Sequence, residues 1–275
     1  MRLTILVDNY ATSLSSLRLK LLAEWGFAAY LHEARVLYDV GSSGAALINN
    51  MKALGIPIDE PDYLVFSHRH DDHTGGLKEF LERRRRPITI IAHENLFAEA
   101  YAKDQSGLFP IGIPMGEEEL RRHRAVKELV LIKGPYKVAE GVYVSGEIPR
   151  RWGPTHNKGV YGADKTAEDQ VPDDAALYVA SGDEMSAVTG CGHSGVENII
   201  EYGLYITGAK RVKAVVGGLH LLGFGRERVE EVIRYLKAKG ARIVVGTHCT
   251  GPLGMALLSE AFGSPTGGVG ATIDI

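Results

Sequence analysis

Residues Ser67 to Gly76 read SHRHDDHTGG and follow directly on the apolar run YLVF. His68, His70, Asp71, Asp72 and His73 fall within six consecutive positions. In an extended segment, residues two apart face the same side. His68 and His70 can therefore grip one ion, while Asp72 and His73 turn toward a neighbouring point. Imidazole and carboxylate together suit zinc, iron or manganese. Two such ions, about 3.5–4 Å apart, can share a bridging water and hold both a nucleophile and substrate oxygens. Three more Gly-flanked histidines follow: His193 in VTGCGHSG, His220 in VVGGLH and His248 in VVGTHCTG. A lone histidine is ordinarily a packing residue, but this set is hard to assemble by chance. His32, His93, His123 and His156 lack such placement and are expected to be structural or surface residues.

The elements that must carry these residues are legible around them. LTILVD, FAAYLHE and RVLYDV read as strands, the last two joined by a turn at Glu33–Ala34. Residues 41–55 read as a helix with Leu47, Ile48, Met51 and Leu54 on one face and Gly55 as its stop. DYLVF is a strand whose C-terminal end is the His/Asp cluster, and GLKEFLERR is the next helix. ELVLI, YKVA and VYVS read as short strands. The stretches at about 95–127 and 147–170 read as loop-rich insertions, a kind of segment that often covers a site. AALYVA and MSAVTG pair across an SGDE turn. After them, helices over 194–208, 226–240 and 252–263 alternate with the strands VKAVVGG and RIVVGTH. Each histidine thus sits at the C-terminal end of a strand, the sheet edge where sites form. The pattern predicts one α/β domain over 1–275, two sheets between outer helices.

Composition narrows the function. The 275 residues carry 31 Lys+Arg against 34 Asp+Glu, a net charge of -3, which argues against a nucleic-acid or anionic-membrane surface. The run Arg83–Arg86 reads as a solvated helix end. No apolar stretch reaches a membrane-spanning length and no signal peptide is evident, so a cytoplasmic location is expected. Two cysteines, Cys191 and Cys249, imply no disulfide framework.

SHRHDDHTGGL resembles the metal signature of the metallo-β-lactamase superfamily. LYDVG resembles that superfamily's Asp-Gly strand end, making Asp39 a buried support for the metal loop. VDNY, GEIPR, DDAALYV, GCGHSGVENII, VVGGLHL and HCTG are similar, in that order, to an archaeal and bacterial branch. Its members are known as 7,8-dihydropterin-6-yl-methyl-4-(β-D-ribofuranosyl)aminobenzene 5'-phosphate synthases, or as metal-dependent hydrolases. The resemblance implies an αββα sandwich holding two divalent metal ions, zinc by default with iron or manganese as alternatives. It implies His68, His70 and His193 around one metal and Asp72, His73 and His248 around the other, with Asp72 also serving as a base. The bridging Asp of most of the superfamily has no counterpart in VTGCG. Cys191 as thiolate, Asp173 or Asp174, or His220 could fill that role, and Cys191 also reads as a small buried residue. Asp174→Ala is expected to weaken the site more than Cys191→Ala.

SGVE, Ser194 to Glu197, reads as a capping box opening a helix just after His193, a candidate anion pocket or plain helix capping. Arg150 in GEIPRR could bind phosphate or carboxylate, or lie on the surface. The leading functional reading is a two-metal enzyme acting on a phosphorylated small molecule, with Asp72 and His220 as catalytic residues. The resemblance implies that a dihydropterin-methyl diphosphate is joined to ribofuranosyl-aminobenzene phosphate. The alternatives are a hydrolase of a phosphodiester, lactone or thioester using a metal-bound hydroxide, and a single-metal binding protein.

Overall fold

The computed structural model describes residues 1–155 and 157–275; His156 lies outside the described residues. Two large sheets face one another. The first runs, edge to edge, through Thr272–Asp274, Arg2–Val7, Ala28–Leu31, Val36–Tyr38, Tyr63–Val65, Ile88–His93 and Val126–Ile132. The second runs through Ile243–Gly246, Arg211–Gly217, Glu184–Thr189, Ala176–Ser181, Val142–Val144 and Tyr136–Ala139. Leu3, Ile5, Val36, Tyr38, Val65 and Ile91 from one sheet meet Val142, Leu177, Val188, Val216 and Val245 from the other in a shared apolar layer. The β-branched residues that dominate it suit a pleated surface buried on both faces. Tyr38 crosses between the sheets, its hydroxyl donating to the Ala175 carbonyl at 2.7 Å.

Helices cover both outer faces. Leu47, Met51, Leu77, Phe80, Leu81 and Leu120 of the helices Gly44–Ala53, Leu77–Arg83 and Glu117–Arg122 pack on the first sheet. Val196, Ile199, Ile200, Val229, Val232, Leu236, Leu257 and Leu258 of Val196–Thr207, Arg226–Ala238 and Gly251–Phe262 pack on the second. This is the αββα arrangement expected. The pairs Val36–Tyr38 with Tyr63–Val65, Glu184–Thr189 with Arg211–Gly217, and Arg211–Gly217 with Ile243–Gly246 are parallel, so their following loops leave one edge.

Several elements differ from the sequence expectation. The two insertions are not merely loops: Tyr101–Asp104 and Gly107–Pro110 form a hairpin joined by Val160–Tyr161 into a third, three-stranded sheet. Short strands with exposed residues and no clean alternation gave this sheet little periodic signal. The helix Leu14–Leu19, capped by the Ser13 side chain, and the edge strand Thr272–Asp274 were also unanticipated. The arginine run is not uniformly solvated. Arg84 is buried, donates to the Ile58 and Pro61 carbonyls and lies 5.2 Å from the Phe80 ring centroid. Burial pushes its guanidinium down to about 10.

Candidate metal centre

Eight strand-end residues converge on the common edge. The loop after Tyr63–Val65 brings His68 and His70, then turns into a four-residue helix, Asp71–Thr74, that swings Asp72 and His73 inward. The loop after Glu184–Thr189 adds Cys191 and His193, and the next two parallel strands add His220 and His248. The ligand atoms of His68, His70 and His193 lie within 4.8 Å of one another. So do those of Asp72, His73, Cys191 and His248, and those of Cys191, His193 and His220. Cys191 thus belongs to two groups that flank it.

Hydrogen bonds behind the rings fix which nitrogen faces the centre. Asp39 accepts the Ser67 N–H and the Ser67 hydroxyl, both at 2.7 Å. The single hydroxyl proton is spent on that carboxylate, so Ser67 Oγ accepts from His68 Nδ1 at 2.8 Å. Asp39 also accepts from His73 Nδ1 at 2.8 Å, and Asn9 Oδ1 accepts from His248 Nδ1 at 3.0 Å. In the neutral form of each ring Nε2 keeps its lone pair, as a metal ligand requires. Asp39, His220 and His248 all adopt left-handed backbone, with φ of 58°, 48° and 45°. For non-glycine residues that costs about 1–3 kcal/mol each, strain of the sort that collects where side chains must be aimed.

The electrostatics fit a cation. Burial drives His68 well below the usual imidazole range and His70 down to about 3, so both are neutral ligands. Their Nε2 atoms are buried without a hydrogen-bond partner, a costly state that coordination would relieve. Burial opposes charge on Asp72 and His73. Facing His73 and His248 nevertheless hold the Asp72 carboxyl far below its ordinary value. Asp72 and Asp39 in turn raise His73 to about 9. A proton is held where a divalent ion would sit. Burial pushes the Cys191 thiol up; a bound cation would reverse that. The donor set of imidazoles, one carboxylate and one thiol therefore fits a transition metal such as zinc.

Other candidates are used differently. Asp173 accepts the Arg69 N–H at 2.8 Å and is ion-paired with its guanidinium, which also pairs with Asp169. Asp174 accepts the Ser194 N–H at 2.7 Å, and burial pushes its carboxyl up. Among the described residues, neither aspartate joins the ligand groups. The capping box does not form. Gly195, at φ 88°, is the N-cap with no side-chain cap, Ser194 is fully buried against Asp174, and Glu197 pairs with Arg228 at 2.8 Å. A Cβ on Gly195 would run into the Pro154 carbonyl, so the helix start is closed by backbone. Arg150 donates to the Val171 carbonyl at 2.8 Å, which turns its guanidinium to structural use. His32, His93 and His123 lie outside the ligand groups, with hydrogen bonds to Thr4, Asn95 and Ala125 respectively.

Asp8, Asn9 and Trp25 were not singled out as site residues. Asp8 accepts the His248 N–H at 2.9 Å, and burial raises its carboxyl to about 6. Trp25 donates to Asp72 Oδ2 at 3.2 Å and meets the His248 ring edge-on. VDNY ends the first strand on the same edge, which is the signal that could have found Asp8 and Asn9. A cavity of about 530 Å³ opens over the centre, its walls including Trp25, Lys103, Phe109 and Lys158. The third sheet therefore roofs the site.

Arg69 ties the metal loop to both Asp173 and Asp169 while only 2% exposed. Arg69→Met leaves the buried Asp173 and the partly buried Asp169 without their cation and is expected to lower stability by about 3–5 kcal/mol. Denaturant unfolding measures this; a loss under about 1 kcal/mol would mean water already compensates the pair.

Comparison with known proteins agrees with this geometry. A model described as the metallo-beta-lactamase superfamily matches residues 29–203. An uncharacterized protein of Methanocaldococcus jannaschii is 33% identical over 275 residues, covering 98% of this chain and 99% of its own. The 7,8-dihydropterin-6-methyl-4-(beta-D-ribofuranosyl)-aminobenzene-5'-phosphate synthase of the same organism is 29% identical over 238 residues, covering 83% and 79%. The crystal structure of Tm1679, described as a metal-dependent hydrolase of the beta-lactamase superfamily, superposes with a TM-score of 0.81 at 24% identity, covering 100% of this chain and 99% of that one. At that identity the likeness is one of fold.

Proposed function

The chain belongs to the metallo-β-lactamase superfamily, and from that premise we propose that it is a two-metal enzyme acting on a phosphorylated small molecule. The reaction assigned to it is that of the synthase relative: joining a dihydropterin-methyl diphosphate to a ribofuranosyl-aminobenzene phosphate. The observation that carries this reading is the presence of two separate ligand groups on one edge, His68–His70–His193 and Asp72–His73–Cys191–His248, an arrangement suited to a pair of ions rather than one. His68, His70 and His193 would hold one, and Asp72, His73 and His248 the other, with Cys191 beside the second. Bound there, two divalent ions would supply Lewis-acid neutralisation of a departing diphosphate.

The remaining work falls to the chain. Lys103 and Lys158 on the cavity wall bring positive charge to an anionic substrate. In the condensation the aromatic amine nitrogen bonds to the pterin methylene carbon, the carbon–oxygen bond to diphosphate breaks, and the amine gives up a proton. His220, on the same wall, is the group assigned to receive that proton. Asp72 Oδ2 already accepts from Trp25 and faces His73 and His248, which suits it to orienting and ligating more than to proton transfer.

The test is elemental analysis of protein from metal-supplemented growth, followed by assay with both substrates. About two metals per chain, with diphosphate released only when the amine is present, is the expected result. Diphosphate release without the amine, or turnover of a generic phosphodiester, would make the enzyme a hydrolase. One metal or none, with no turnover, would make it a binding protein.

A further inference from the structure

A second cavity, of about 590 Å³, adjoins the metal cavity: Lys158 and His220 line both. Thr155, Asn157, Glu168 and Gln170 of the second insertion form its polar side, and Leu222 and Phe224 of the loop after His220 its apolar side. Asn157 is only 7% exposed. Its Nδ2 donates to the Gln170 carbonyl at 3.2 Å, which commits that end of the amide. Its Oδ1 is buried with no hydrogen-bond partner. A buried acceptor left unmet is costly, and a ligand N–H or O–H would meet it. The Glu168 carboxylate adds a second acceptor on the same side. Leu222 and Phe224, 50% and 39% exposed, contribute apolar lining that suits a flat ring.

The wall is anchored. Arg69 pairs with Asp169, and Asn198 Oδ1 accepts three successive N–H groups, from Arg151, Trp152 and Gly153, at 2.9, 2.7 and 3.2 Å. Acceptors from one segment, apolar side chains from another and a lysine shared by both cavities describe one kind of molecule. We propose that the second cavity is the binding site for a planar, N–H-bearing heterocycle whose anionic arm passes Lys158 to reach the metal ligands. Dihydropterins belong to that chemical class. The inference rests on reading the metal cavity as the seat of the phosphorylated end.

Two probes separate the inference from that reading. 6-Hydroxymethylpterin, which lacks phosphate, is titrated into the metal-loaded protein by fluorescence, and inorganic diphosphate by calorimetry. Asn157→Ala is expected to weaken pterin binding about tenfold, the scale of one buried hydrogen bond. Phe224→Ala is expected to weaken it by at least about threefold. Both variants should keep the wild-type diphosphate affinity, and Phe224→Ala the wild-type melting temperature. If Asn157→Ala does not fold, Phe224→Ala carries the test alone. Unchanged pterin affinity in the folded variants, or no pterin binding while diphosphate still binds, overturns the subsite and leaves the phosphorylated-substrate reading standing. Pterin binding that depends on Asn157 or Phe224 in a protein that ignores diphosphate supports the subsite and overturns that reading instead.

Discussion

Replacing His70 by alanine is expected to remove at least one metal ion per chain and nearly all activity. The effect should exceed the roughly 10–100-fold loss that follows removal of a residue merely supporting a ligand. His70 is buried, its Nε2 has no hydrogen-bond partner, and burial holds it neutral with a pKa near 3. A side chain in that state adds nothing to folding that alanine lacks except its bulk and its lone pair. The backbone at position 70 keeps its role, since its carbonyl accepts from His73 and Thr74 N–H at 3.0 Å whatever the side chain. The fold should therefore survive, and circular dichroism should show it. Elemental analysis of wild type and variant, purified side by side, decides the matter. Full metal occupancy in a folded His70→Ala protein would sink the ligand assignment for the whole His68–His70–His193 group.

What the sequence could show of this centre follows from how local each signal is. His68, His70, Asp72 and His73 are packed into one loop, so their types and spacing speak without the rest of the chain. The strand ends at His193, His220 and His248 were readable because each follows an apolar run and glycine or threonine. The layered fold was readable because its strands are buried on both faces and its long helices carry one apolar side. The bridge position was not. Asp174 and Cys191 are both buried near the centre, and a sequence cannot say which one turns toward the metal ligands and which toward Ser194. The roof was equally hidden: Tyr101–Asp104 and Val160–Tyr161 are separated by more than fifty residues, and their pairing is a tertiary fact with little local pattern. Arg84 in its basic run shows the same limit, since only packing against Phe80 and the Ile58 and Pro61 carbonyls distinguishes it from its exposed neighbours.

Cys191→Ala is expected to strip metal from the protein, while Asp174→Ala is expected to leave metal content near the wild-type value. That order reverses the one drawn from sequence, and the geometry gives the reason. Cys191 Sγ stands 3.2 Å from His73 Nε2 and belongs both to the Asp72–His73–His248 group and to the His193–His220 group. Cys249 Sγ donates to the Cys191 carbonyl at 3.3 Å, which holds the backbone that aims the thiol. Removing the thiol takes one donor from the Asp72–His73–His248 group and one from the His193–His220 group. Asp174 instead spends a carboxylate oxygen on the Ser194 N–H. Its removal leaves that buried N–H without its acceptor, a loss of about 1–3 kcal/mol of stability rather than a loss of metal. The two variants thus separate by readout: metals per chain for Cys191, unfolding midpoint for Asp174. Cys191→Asp adds a third arm, because a carboxylate is the bridging group most of the superfamily resemblance implies at this place. Its side chain is of similar reach and is charged without help from the cation, so Cys191→Asp should retain metal where Cys191→Ala does not. If Asp174→Ala loses metal and Cys191→Ala keeps it, the bridge belongs to the aspartate, and the sharing of Cys191 between the two groups is packing alone.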